Sequence, residues 1–150
     1  MVWSSDGRFL VQRFSAAVFT LFLGCAAFSS ATAAAENLPY LFEQMKKPAY
    51  ADPLKAIVDG NRGLPAWVNH FVRTQEGVAS PGVAVTIDGH AFERYDVCQP
   101  HNCGGNFLYV LYPAGGGQAW ALITADEKVA AILGSPNEAQ KGVLIEASQK

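Results

Sequence analysis

Apolar residues recur at two different periods along this chain, and the change comes near Val83. Before it, Tyr40, Leu41 and Met45 and then Leu54, Ile57 and Val58 fall at three- and four-residue spacings, which predicts helical segments. Pro48 and Pro53 punctuate them and Gly60 closes the second. Leu64-Pro65-Ala66-Trp67-Val68 predicts a short helix or turn that packs Trp67 into the core, and Thr74 to Gly82 reads as a connector of small and turn-forming residues. From Val83 the period becomes two. Val83, Val85 and Ile87 alternate with Ala84, Thr86 and Asp88, and Asp88-Gly89 is a strong hairpin signal, because both central residues of a type I′ turn need positive φ. A second strand is predicted over 90–97. The run from Phe107 to Tyr112 is apolar on both faces, as a central strand covered on both sides would be.

Pro113 to Gly117 supplies the next turn, Gln118 to Thr124 a fourth strand and Val129 to Leu133 a fifth. Ser135 then offers an N-cap, with Pro136 at the first helical position and Glu138 completing a capping box, so a last helix is predicted to about Ser148. No internal repeat is visible. The predicted class is α+β: an antiparallel sheet of about five strands built from consecutive hairpins, with helices packed on its faces.

Composition narrows the function class. Half of the 150 residues are hydrophobic and 16% are charged, which excludes a disordered tail and a nucleic-acid binder driven by excess basic charge. The first 35 residues look like an export signal. Arg8 and Arg13 precede a mostly apolar stretch from Phe14 to Phe28, followed by small residues from Ser29 to Ala35. The apolar stretch is shorter than the ~20 residues a membrane anchor needs and is interrupted by Ser15, Thr20 and Gly24. Small-x-small spacing permits cleavage after Ala33 or Ala35, and the latter is preferred because Glu36-Asn37-Leu38-Pro39 reads as ordinary mature sequence. The expected organisation is a signal peptide over 1–35 and one domain over 36–150, periplasmic and free of the membrane after cleavage. The alternative reads Phe22-Leu23-Gly24-Cys25 as a lipoprotein box, with Cys25 lipidated. Removing 1–35 takes away Arg8, Arg13 and Asp6 and moves the net charge from −2 to −3, which favours a basic partner.

Export also leaves exactly two cysteines, Cys98 and Cys103, in an oxidising compartment, so they are expected to pair. Between them lies Gln99-Pro100-His101-Asn102, followed by Gly104-Gly105. The bridge, the proline and the glycines all limit or direct the backbone of a loop that protrudes between the second and third strands, and such preorganisation raises affinity without adding contacts. A metal site here lacks a convincing fourth ligand, and oxidised cysteines are not thiolates. A thiol oxidoreductase would need two intervening residues rather than four. A rigid loop presenting His101 and a stapled hairpin with an inert tip both remain open on the residues alone.

The segment Cys98-Gln99-Pro100-His101-Asn102-Cys103 resembles the Cys-Lys-Pro-His-Asp/Asn-Cys signature of the Ivy family, periplasmic inhibitors of vertebrate c-type lysozyme. Leu64-Pro65-Ala66-Trp67-Val68 is similar to that family's Leu-Pro-Ala-Trp-Val segment, and the hairpin from Val83 to Cys98 leads into the loop in the same order. The resemblance covers most of 37–149, with a shorter stretch after Thr124. It implies a c-type lysozyme as protein partner, a homodimer as a candidate assembly, and a loop that enters the enzyme's cleft. His101 then lies between the catalytic carboxylates, with Gln99, Pro100 and Asn102 around it as contact residues. Gln99 stands where lysine is common, and Asn102 where aspartate sometimes stands, so two loop charges are absent.

Other residues carry no comparable pattern. His70 and His90 are expected at the surface or in packing, and Asp126-Glu127 as a solvated pair in a turn. Trp67, Trp120, Phe107 and Tyr109 are expected in the core. No serine or cysteine has a convincing base and orienting acid, so neither catalysis nor a cofactor nor a metal is expected. The rival reading is an envelope module whose loop engages endogenous peptidoglycan-processing enzymes or cell-wall glycan.

Overall fold

The computed structural model describes residues 38–150; the export signal expected over 1–35, and Cys25 within it, lie outside the described residues. The chain forms strand β1 (Leu38–Tyr40), helices α1 (Leu41–Gln44), α2 (Pro48–Asp59) and α3 (Ala66–Thr74), and strands β2 (Val78–Ala79), β3 (Pro81–Ile87), β4 (His90–Cys98), β5 (Phe107–Pro113), β6 (Trp120–Ala125) and β7 (Lys128–Leu133). Helix α4 (Glu138–Ala147) ends the fold. All strand pairings are antiparallel, in the order β1-β3-β4-β5-β6-β7, with β2 also paired to β4.

The α+β class and the hairpin order agree with the periodicity, but the sheet has seven strands rather than about five. The two additions, β1 and β2, have three and two residues, too few for a period of two to register. The Asp88-Gly89 turn is as expected: Ile87 pairs with His90, and φ is 49° at Asp88 and 78° at Gly89.

Central strand β5 divides the core. Leu108, Val110 and Tyr112 face α1, α2 and α3 together with Tyr95, Val97, Ala121 and Ile123. Tyr109 and Leu111 face the other way and join Trp120, Leu122, Leu144 and Ala147 under α4. Successive strand side chains point to opposite faces, so a strand apolar at every position needs a layer on each side.

Two expected boundaries are corrected. Pro53 does not interrupt α2, which runs through it. A proline has no N–H for the carbonyl four residues back, and that carbonyl, Ala49 O, instead accepts from Gly117 N at 2.7 Å. Gly116 is required at this crossing, because a Cβ there would lie 2.5 Å from Ala49 O. The second correction concerns α4, which is capped by Asn137 rather than Ser135. Asn137 Oδ1 accepts from Gln140 N and Gln140 Oε1 accepts from Asn137 N, both at 2.9 Å. Ser135 has φ 53° in the turn after Gly134 and lacks the extended backbone of an N-cap.

The candidate functional site

Strands β4 and β5 carry the Cys98–Cys103 loop. Cys98 pairs with Phe107, and Gln99 N donates to Asn106 O at 3.0 Å, so the ladder continues one step into the loop. Asn102 N then donates to Gln99 O at 3.0 Å, closing a four-residue turn with Pro100 and His101 at its centre. Proline presets the first central position, and His101 takes φ 62° at the second, the arrangement of a type II turn. That position favours glycine or asparagine, and a histidine there is uncommon. Its side chain is consequently held at the tip. Pro100, His101, Asn102 and Cys103 are exposed, Gln99 is half-buried and Cys98 is buried.

The disulfide joins Cys98 and Cys103 across a Cα–Cα distance of 5.0 Å, pinning the tip to the end of β4. Both sulfurs lie in the bridge, so neither is a thiolate for metal binding or thiol exchange. Among the described residues no group of three or more His, Cys, Asp or Glu could hold a metal ion, and no helix is long and apolar enough to cross a membrane.

A second hairpin braces the loop from the side. Asp126 and Glu127 form the two-residue turn between β6 and β7, with φ 49° and 65°. Glu127 N donates to Gly105 O at 3.1 Å, and Asp126 N to Asn106 Oδ1 at 3.4 Å. Asn106 is buried, and its Nδ2 returns to Gly104 O at 3.1 Å. Gly105 must be glycine: φ is 78° and a Cβ would lie 2.5 Å from Glu127 N. Asp126 and Glu127 are thus an exposed turn pair, as expected, but their backbone also supports the loop, which local spacing did not reveal.

His101, Pro100, Asn102 and Gln99 therefore come together on one stapled projection. His70 and His90 are both exposed and remote from the tip in sequence; His70 Nε2 meets Glu76 Oε2 at 3.1 Å. Trp120 and Tyr109 are buried, whereas Trp67 and Phe107 are half-buried and packed against the two core clusters. The Trp67 indole Nε1 is enclosed without a hydrogen-bond partner. Beside the loop, Trp67 forms one wall of an open groove of about 600 Å³.

Two proteins are similar to this chain in sequence. The inhibitor of vertebrate lysozyme from Pseudomonas aeruginosa is 29% identical over 114 residues, covering 75% of this chain and 72% of that protein. An uncharacterised protein of Yersinia pestis is 27% identical over 126 residues, covering 76% of this chain and 79% of its own length. The profile of the family described as inhibitor of vertebrate lysozyme (Ivy) matches residues 49–141, which contain β2 to β7, the whole stapled loop and most of the helical layer, and the chain accordingly belongs to the Ivy family.

Proposed function

We propose that this protein is a periplasmic inhibitor of c-type lysozyme that plugs the enzyme's cleft with the Cys98–Cys103 loop. The observation that carries the reading is the exposed His101 at positive φ on the tip of a disulfide-closed, hairpin-braced turn. A retaining glycosidase holds its acid and nucleophile about 5 to 5.5 Å apart, and an imidazole has a nitrogen on each side of one flat ring. A neutral ring donates to the ionised carboxylate and accepts from the protonated one; an imidazolium donates to both when both are ionised. Pro100 and Asn102 flank His101 in the turn, and Gln99 adds a contact nearer the rim. The chain acts by occupancy and performs no reaction of its own. Its charge of −3 after leader removal speeds encounter with a basic enzyme. The deciding experiment is an inhibition assay of the mature protein against egg-white lysozyme; undiminished lysis at saturating protein overturns the proposal.

The bridge belongs to binding more than to folding. By the chain-entropy formula, so small a loop contributes roughly 2 kcal/mol or less to stability, whereas an opened tip has entropy that binding must remove. The Cys98→Ser, Cys103→Ser double variant is expected to lose proportionally more inhibition than thermal stability. Equal inhibition by the variant and the parent would count against preorganisation.

The location is tested separately. Intact-mass measurement on protein recovered from the periplasm is expected to show a mature chain beginning at Glu36 or within about two residues of it. A lipidated chain beginning at Cys25 would replace this proposal with the anchored alternative.

A further inference from the structure

The tip is too small to be the whole contact. A stable protein–protein interface buries about 800 Å² on each partner and uses roughly 20–30 residues a side, whereas the exposed part of the loop runs only from Pro100 to Gly104. The surface that continues it is the groove of about 600 Å³ between the loop, the start of α3 and β2. The continuity is structural: Val78 in β2 pairs with Cys98 at the base of the loop, and Gln99 and Pro100 form one side of the groove.

The walls define what fits. Trp67, Val78 and Pro100 make the groove mainly apolar, and Val78 is 51% exposed within it. Glu76 is the one carboxylate in the lining; its side chain is 75% exposed and is bonded to His70. His70 also lines the groove and is the partner Glu76 has there; an apolar occupant would desolvate this exposed pair without adding a partner for the carboxylate, and an anionic one would be repelled by it. A long basic side chain meets both demands: its methylene stem lies along the apolar wall, and its cationic head reaches the indole and the carboxylate. The negative charge of the chain after leader removal has the same sense.

We infer that this groove is the second half of the lysozyme footprint and receives an arginine or lysine from the rim of the enzyme bound by the loop. The inference rests on the loop reading above, so its test includes a loop variant. Val78→Arg and Glu76→Gln are made in the mature protein beside His101→Ala. Inhibition constants against egg-white lysozyme, their dependence on salt, and Tm are measured for all three. Val78→Arg, which puts a like charge where the cation should lie, is expected to raise the inhibition constant about tenfold or more. Glu76→Gln, a change at an exposed site remote from the core, is expected to raise it about threefold and to flatten its salt dependence. Tm should hold for Glu76→Gln, which decides the matter where Val78→Arg lowers it.

If both groove variants inhibit like the parent while His101→Ala fails, the groove has no part in binding and the loop acts alone. If the groove variants weaken inhibition and His101→Ala does not, the groove assignment stands and the plug reading falls. If none of the three changes inhibition, both are overturned.

Discussion

His101→Ala is expected to raise the inhibition constant against a c-type lysozyme roughly 30-fold, equivalent to about 2 kcal/mol, while leaving Tm nearly unchanged. Without the ring, two acidic groups of the enzyme remain desolvated and unpaired, and unpaired buried polar groups are costly. The fold loses nothing comparable, because His101 is exposed and the turn is held by other groups: the Asn102 N to Gln99 O bond, the disulfide and the bracing contacts of Asp126 and Glu127. Alanine at φ 62° bears somewhat more backbone strain than histidine, which enters the left-handed region more readily, so any small fall in Tm has a backbone origin. His101→Gly relieves that strain and also removes the ring, so it should match or exceed the parent in Tm and still fail to inhibit. This pair separates binding from folding. Gln99→Ala, a contact nearer the rim, should cost well under about 1 kcal/mol, because its interactions stay wet. An unchanged inhibition constant for His101→Ala would refute the plug; a loss matched by a fall in Tm that His101→Gly restores together with inhibition would make the residue structural.

The parts of this molecule that were legible in sequence are those written by neighbouring residues. Asp88-Gly89 specifies its own turn, and Phe107 to Tyr112 declares a two-sided strand because every position is apolar. The stapled tip is equally local, lying within a six-residue segment bounded by Cys98 and Cys103. What escaped is long-range. Pro53 reads as a breaker until Gly117 is seen to satisfy Ala49 O, 68 positions away along the chain from that glycine's amide. Asn106 is an ordinary loop asparagine until Asp126 N arrives from another hairpin. Ser135 and Asn137 both satisfy the chemistry of a cap, but Gly134 packs against Ala119 and Ser135 after it lies in the left-handed region, so the extended N-cap backbone falls to Asn137. The groove escaped for the same reason as the brace, since Trp67, Val78 and Gln99 come from three separate segments and no spacing rule links them.

At the opposite end of β4 from the loop, Glu93→Leu is expected to destabilise the fold by about 3 kcal/mol, lowering Tm by roughly 10 °C. Glu93 Oε2 accepts from Tyr50 OH at 2.8 Å and from Tyr95 OH at 2.7 Å, and Oε1 accepts from Gly115 N at 3.2 Å. Gln44 Nε2 donates to Tyr95 OH at 3.2 Å, and Tyr112 OH donates to Tyr50 O at 3.1 Å. One carboxylate thus joins α2, β4 and the glycine turn after β5, and its removal takes away the acceptor of two phenol O–H groups on buried tyrosines. Glu93→Gln keeps an acceptor and should lose less. The same tyrosines give the fold a distinct alkaline response. Burial, then the Glu93 hydrogen bond, pushes Tyr50 up to about 12, and Tyr95 and Tyr112 are also raised, with burial foremost. Unfolded tyrosines ionise near pH 10, so above that pH the unfolded chain has released protons that the folded chain retains. The stability held by these neutral phenols is complete below about pH 10 and is lost as pH rises through 12. Glu93→Gln removes the carboxylate's part in the shift and should make this decline shallower. Urea midpoints measured from pH 7 to beyond pH 11 test both statements; a Glu93→Leu midpoint equal to that of the parent would remove the clamp from the account of stability. Inhibition by folded Glu93→Leu at 25 °C should match the parent, since the loop and its brace contain none of these groups.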